Sequence, residues 1–182
     1  SFMDNLLLSG SRDQQVLLFD VRSAKKPVKT YKDHTQEVCG LKWSPDGLYF
    51  ASGGNDNMMY VYSPKTDLPL MKKQHKAAVR AIAWSERQYG VLASGAGTAD
   101  RCIRLWNLNE NKKIDMRDTE SQVSNIIFSR KENEIITSHG FSKNDICIWK
   151  TKGLRKTHSL LGHASRVLHL AMSPCGNYIV SG

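Results

Sequence analysis

The sequence has no apolar run approaching the ~18 residues of a membrane-spanning helix. Its first residues, SFMDNLLLSGS, lack the basic start and long apolar stretch of a secretory signal. Both absences argue against a membrane partner and against secretion. Cysteine is scarce: Cys39, Cys102, Cys147 and Cys175 lie far apart with no C-x-x-C pair, so spaced-ligand zinc motifs and a small disulfide framework are excluded. The thiols are expected to be reduced, in the nucleus and cytoplasm. No G-x-S-x-G elbow, phosphate loop or metal-ligand spacing occurs, so the expectation is a chain that is not an enzyme and carries no metal or cofactor. Acidic residues are also few, 17 against 26 basic ones in 182, for a formal charge of +9. That balance permits nucleic acid or an acidic peptide as partner, and equally describes an ordinary solvated basic surface.

What the chain does have is 40 % hydrophobic residues, enough to bury a core, and an internal repeat. DHTQEVCGLKWSPDGLYFASGGNDNMMYVYS begins at Asp33, and QHKAAVRAIAWSERQYGVLASGAGTADRCIRLWN begins at Gln74. TESQVSNIIFSRKENEIITSHGFSKNDICIWK follows from Thr119, and GHASRVLHLAMSPCGNYIVSG from Gly162. The equivalent positions Trp43, Trp84, Phe128 and Met172 are 41, 44 and 44 residues apart. Each unit reads as a polar residue, an alternating strand, a turn, a strand ending in small residues, and a strand closing on an aromatic. The turns have physical causes: in Ser44-Pro45-Asp46-Gly47 the proline fixes φ, the aspartate bonds back to the chain and the glycine takes positive φ.

Period and grammar resemble the WD-repeat β-propeller, an all-β fold of four-stranded blades. The expected organisation is a blade remnant over 1–32, full repeats over 33–73, 74–118 and 119–161, and a truncated repeat over 162–182. That makes about four to four and a half blades of an expected seven-bladed ring, hence a fragment, since a propeller closes to protect its edge strands. The resemblance implies a hydrogen-bonded set tying the strands of each blade. His75, Ser94, Asp100 and Trp106 match it, as do His34, Ser52 and Asp56 with Tyr62 replacing tryptophan. Ser138, Asp145 and Trp149 match without a histidine before Val123, and His163 opens the last unit. A His-Asp-Ser trio could suggest a hydrolase, but one recurring in every repeat reads as structural.

In propeller topology the turn between second and third strands and the segment entering the first strand open on one face. That face receives Asn55, Asn57, Thr98, Gln122 and Arg166, amides, a hydroxyl and a guanidinium suited to a peptide. The segments QEVCGLKWS, ASGGNDN, GTADRCIRLWN, SHGFSKN and SRVLHLAMSP, in this order, resemble the fizzy and fizzy-related proteins, closer to the latter. These are activators and substrate receptors of the anaphase-promoting complex, a ubiquitin ligase of the cell cycle. The resemblance implies ligase subunits and degron-bearing substrates as partners and carries the family's KEN-box (Lys-Glu-Asn) contacts onto Asn55, Asn57, Thr98, Gln122 and Arg166. The destruction-box groove, the C-box and the Ile-Arg tail have no counterpart in these residues. The alternatives are a WD scaffold of another pathway and, on the cluster Lys150, Lys152, Arg155 and Lys156, a nucleic-acid binder. That cluster lacks interleaved aromatics and is expected on an inter-blade connection, so no nucleic acid is expected. Lys131-Glu132-Asn133 itself spells KEN, and the repeat places it in a tight polar turn.

Overall fold

Period-2 alternation becomes antiparallel sheet in every repeat. The computed structural model describes residues 1–182 except Ala24 and Ser142, the latter within the SHGFSKN segment. A first sheet contains β1 (Phe2–Met3), β2 (Leu6–Gly10), β3 (Val16–Asp20) and β4 (Lys29–Tyr31). The second contains β5 (Val38–Trp43), β6 (Phe50–Gly54), β7 (Met58–Tyr62) and β8 (Met71–Gln74). The third contains β9 (Val79–Trp84), β10 (Val91–Ala96), β11 (Cys102–Asn107) and β12 (Lys112–Asp118). The fourth contains β13 (Val123–Phe128), β14 (Glu134–His139), β15 (Ile146–Lys150) and β16 (Arg155–Leu160), and a pair, β17 (Leu170–Met172) and β18 (Ile179–Ser181), completes the chain. Within each sheet strands pair in sequence order, all antiparallel.

Residues 1–32, expected as a remnant, therefore fold as a complete four-stranded sheet. Their outermost elements are only two and three residues long, too short to carry a periodic signal. The first strands of successive sheets lie side by side, β5 against β9, β9 against β13 and β13 against β17. Sheet faces thus meet face to face around a common centre.

The core is a series of slabs between sheets. Phe50, Tyr60 and Tyr62 pack toward Leu8, Val16, Leu18 and Tyr31 of the first sheet. Their strand neighbours Ala51, Met59 and Val61 face the other way, toward Ile82, Leu92 and Trp106. The next slabs join Ala81, Ala93, Ile103 and Leu105 to Val123, Ile126, Ile135 and Trp149, and Ile136 and Ile146 to Val167 and Leu170. Burial on both faces explains why β6 and β10 read as runs of small and apolar residues rather than clean alternations.

Backbone proximity between sheets is set by glycine. A Cβ at Gly53 would overlap the Val79 carbonyl oxygen, and one at Gly95 would overlap the Val123 side chain. On one face, turns latch onto one another. Arg87 Nη1 donates to the Lys131 carbonyl (2.5 Å), Lys131 Nζ to Asn177 Oδ1 (2.5 Å), and Arg130 to Glu86 Oε1 (3.0 Å) and the Pro174 carbonyl (3.1 Å). The basic cluster proves to lie within one sheet and not on a connection between sheets, because Lys150 ends β15 and Arg155 and Lys156 begin β16. Lys150 pairs with Glu134 at 3.0 Å, and the Lys156 ammonium sits 5.7 Å from the Trp149 ring centre.

Candidate functional site

In the second to fourth sheets the repeated polar residues are buried, Asp56 partly so. In the second sheet His34 Nε2 meets Ser52 Oγ at 2.8 Å, and its Nδ1 lies 3.0 Å from Asp56, which also accepts the Thr35 and Met58 N–H groups. The Tyr62 hydroxyl donates to Asp33 Oδ2 at 3.0 Å. In the third sheet Ser94 Oγ is shared by His75 Nε2 (2.8 Å) and the Trp106 indole N–H (2.7 Å). Asp100 turns instead to Arg104, which donates to both carboxylate oxygens at 2.6 and 2.9 Å, and it accepts the Lys76 and Cys102 N–H groups. His75 Nδ1 is left without a partner. Burial, reinforced by the Arg104 cation and opposed by Asp100, pulls the His75 pKa down to about 4, so the ring is neutral.

The fourth sheet departs from the expected pattern by one residue. The Trp149 indole N–H donates to Thr137 Oγ1 (2.8 Å), which also pairs with His139 Nε2 (2.7 Å). Ser138, expected in that role, faces the opposite side and donates to the Val167 carbonyl at 2.9 Å. Strand alternation forces the swap, since neighbours on β14 point to opposite faces. The missing histidine comes from the end of β14 itself. Asp145 accepts the Ser159 hydroxyl (2.7 Å) and the Cys147 thiol (3.2 Å). His163 bonds Ser181 at 2.9 Å on an exposed stretch.

The peptide-facing candidates occupy the turns between second and third strands and the segments entering the first strands. Backbone bonds tie these together in each sheet: Asn55 N–H to the Glu37 carbonyl (2.9 Å), Gly97 N–H to Ala78 (3.1 Å), and Gly140 N–H to Gln122 (3.2 Å). Asn55 and Asn57 share the β6–β7 turn, where Asn57 takes φ 65° and its carbonyl accepts the His75 N–H. The Asn55 amide donates to Glu37 Oε2 at 3.2 Å, and Arg12 approaches the same carboxylate at 3.6 Å. Thr98 is exposed in the β10–β11 turn. Gln122 and Arg166 converge on Gly140, where a Cβ would stand 3.2 Å from Gln122 Oε1 and 3.7 Å from the Arg166 Cβ. Arg166 is exposed and, among the described residues, has no carboxylate within 4.0 Å. Hydrogen bonds join none of the five side chains to another among the described residues, and the Asn55 amide is engaged by Glu37.

Sequence reasoning missed Glu37, Arg104, Thr137 and His139. Arg104 had a signal: in the aligned register its place opposite Ser94 is that of Tyr60 opposite Ser52 and Cys147 opposite Thr137, so a charge stands where the other units place uncharged side chains. Glu37 had none, being one polar loop residue among many.

Comparison with known proteins agrees with this architecture. A family model described as the CDC20/Fizzy WD40 domain matches residues 1–182. The chain is 46 % identical over 183 residues to Protein FIZZY-RELATED 1 of Arabidopsis thaliana, covering 100 % of this chain and 38 % of that protein. It is 45 % identical to the APC/C activator protein CDH1 of Saccharomyces cerevisiae, covering 100 % of this chain and 32 % of that one. A chain in the crystal structure of the mitotic checkpoint complex superposes with a TM-score of 0.96 at 38 % identity, over 100 % of this chain and 56 % of its own. The chain thus spans about a third of the length of these two curated relatives.

Proposed function

Because the chain belongs to the CDC20/Fizzy WD40 family, we propose that it is part of an activator of the anaphase-promoting complex and holds Lys-Glu-Asn degrons on the face carrying Asn55, Asn57, Thr98, Gln122 and Arg166. The relative named an APC/C activator supports the first half. The observation that carries the second is Arg166, exposed beside Gln122 with no carboxylate of its own. A guanidinium so placed offers a two-pronged donor to the glutamate of the motif. Gln122, Thr98 and the two asparagines supply acceptors for an ammonium and partners for an amide and a peptide backbone. The chemistry is recognition without bond making, and ubiquitin transfer takes place on other subunits. One charge-assisted bond of about 1.5–3 kcal/mol plus a few neutral ones gives the weak, reversible hold a short motif needs.

Calorimetry on the full-length protein tests the reading. Arg166→Glu replaces attraction by like-charge repulsion and abolishes binding of a Lys-Glu-Asn peptide, while a destruction-box peptide binds as before. Undiminished binding of the Lys-Glu-Asn peptide would remove Arg166 from the site.

A further inference from the structure

The fourth sheet buries polar groups that its own hydrogen bonds leave unsatisfied. His139 at the end of β14, Asp145 before β15 and Cys147 within it are each at most 3 % exposed. One donor atom from each lies within 4.8 Å of the others. Asp145 Oδ1 has no hydrogen-bond partner and His139 Nδ1 none of good geometry, although the Gln122 backbone carbonyl lies near the ring, and burial at this level denies both atoms bulk water. We propose that His139 Nδ1, Asp145 Oδ1 and Cys147 Sγ form a binding site for a divalent transition-metal ion of the zinc type.

The donor set selects the ion. Imidazole, carboxylate and thiolate together suit a borderline-soft ion such as Zn2+, whereas Mg2+ and Ca2+ take oxygen alone. Outer groups already hold the ligands in the required orientation. Thr137 Oγ1, fixed by the Trp149 indole, sits 2.7 Å from His139 Nε2 and accepts its N–H in the tautomer whose Nδ1 lone pair is open. Ser159 occupies Asp145 Oδ2, leaving Oδ1 for the ion. The Cys147 thiol, now donating to Asp145, loses its proton to solvent as the sulfur–metal bond forms. Bonds of about 2.0–2.3 Å around a tetrahedral ion place donors ~3.3–3.8 Å apart, so the trio, whose donor atoms lie within 4.8 Å of one another, contracts by up to ~1.5 Å. Water or the Ser159 hydroxyl, 3.8 Å from Cys147 Sγ and on the exposed strand β16, completes the shell and gives the entry path. No Cys/His motif announced this site, because its ligands come from one hairpin at spacings of six and two.

The test uses Co2+ and Zn2+ as probes on chelator-treated full-length protein. One equivalent of Co2+ should produce a near-ultraviolet sulfur-to-cobalt charge-transfer band that Zn2+ displaces. The band should survive in a variant with Cys39, Cys102 and Cys175 all replaced by serine and vanish in Cys147→Ser. Thr137→Val should weaken metal affinity by about 10–100-fold. A wild-type protein showing no band in excess Co2+ overturns the proposal, whatever the variants do. So does a band that the triple cysteine variant loses or that Cys147→Ser retains.

Discussion

Asp100 has none of its side chain exposed, and both its oxygens are held by Arg104. Removing one partner of such a pair strands the other charge in the interior. Asp100→Ala should therefore lower stability by about 3–5 kcal/mol in chemical denaturation, whereas Asp100→Asn combined with Arg104→Met should lose much less. Equal losses would mean that the backbone N–H groups of Lys76 and Cys102, not the charge pair, set the effect. His75 gives a second residue-scale prediction. Its pKa falls from 6.5 to about 4 on folding, so between these values the unfolded chain binds a proton that the folded chain refuses. Stability therefore declines as pH falls through that window, by about 3 kcal/mol in all. Denaturant midpoints from pH 7 to 4 should show this slope, and His75→Gln should remove its share; an unchanged slope would assign it elsewhere. The sequence disclosed His75, Ser94 and Trp106 because they recur with fixed spacing. It could not disclose that Asp100 serves Arg104, nor that Thr137 displaces Ser138, because both depend on which face of a strand a side chain takes.

Among elements, the first strands were the most legible: Val38, Val79 and Val123 open β5, β9 and β13 as the repeat alignment requires. Outer strands such as β8 and β12 were not, since most of their residues are solvent-facing and no apolar alternation marks them. The small residues that close β6 and β10 acquire a reason only in three dimensions. Gly53 admits the Val79 backbone of the next sheet, and a side chain there must push β9 away. Gly53→Ala is expected to destabilise by ~1–3 kcal/mol through overpacking against a rigid backbone. Gly153→Ala gives a contrast at an open turn: no atom lies within 4 Å, so its penalty arises from φ 75° alone. Thermal unfolding of both variants separates crowding from backbone strain; a neutral Gly53→Ala would show that the sheets can part freely.

On the scale of the whole molecule, each sheet depends on its neighbour to cover one face. Deleting residues 162–182 removes Val167 and Leu170 from Ile136 and Ile146 and uncovers an apolar face on the fourth sheet. The deleted protein should self-associate with rising concentration in light scattering, and a monodisperse product would show that the face is tolerated in water. The latched turns have another consequence. Lys131-Glu132-Asn133 is tied at every residue: Ser129 Oγ takes the first two N–H groups, Asn177 and Arg87 hold Lys131, and Thr151 binds the Asn133 carbonyl. A loose copy of the proposed recognition word on the same chain would meet the proposed binding face at an effective concentration of about 1 mM and outcompete scarce substrates. On the proposed reading, the face would not be silenced by the chain's own text, because these bonds hold the three letters curled in a fixed turn.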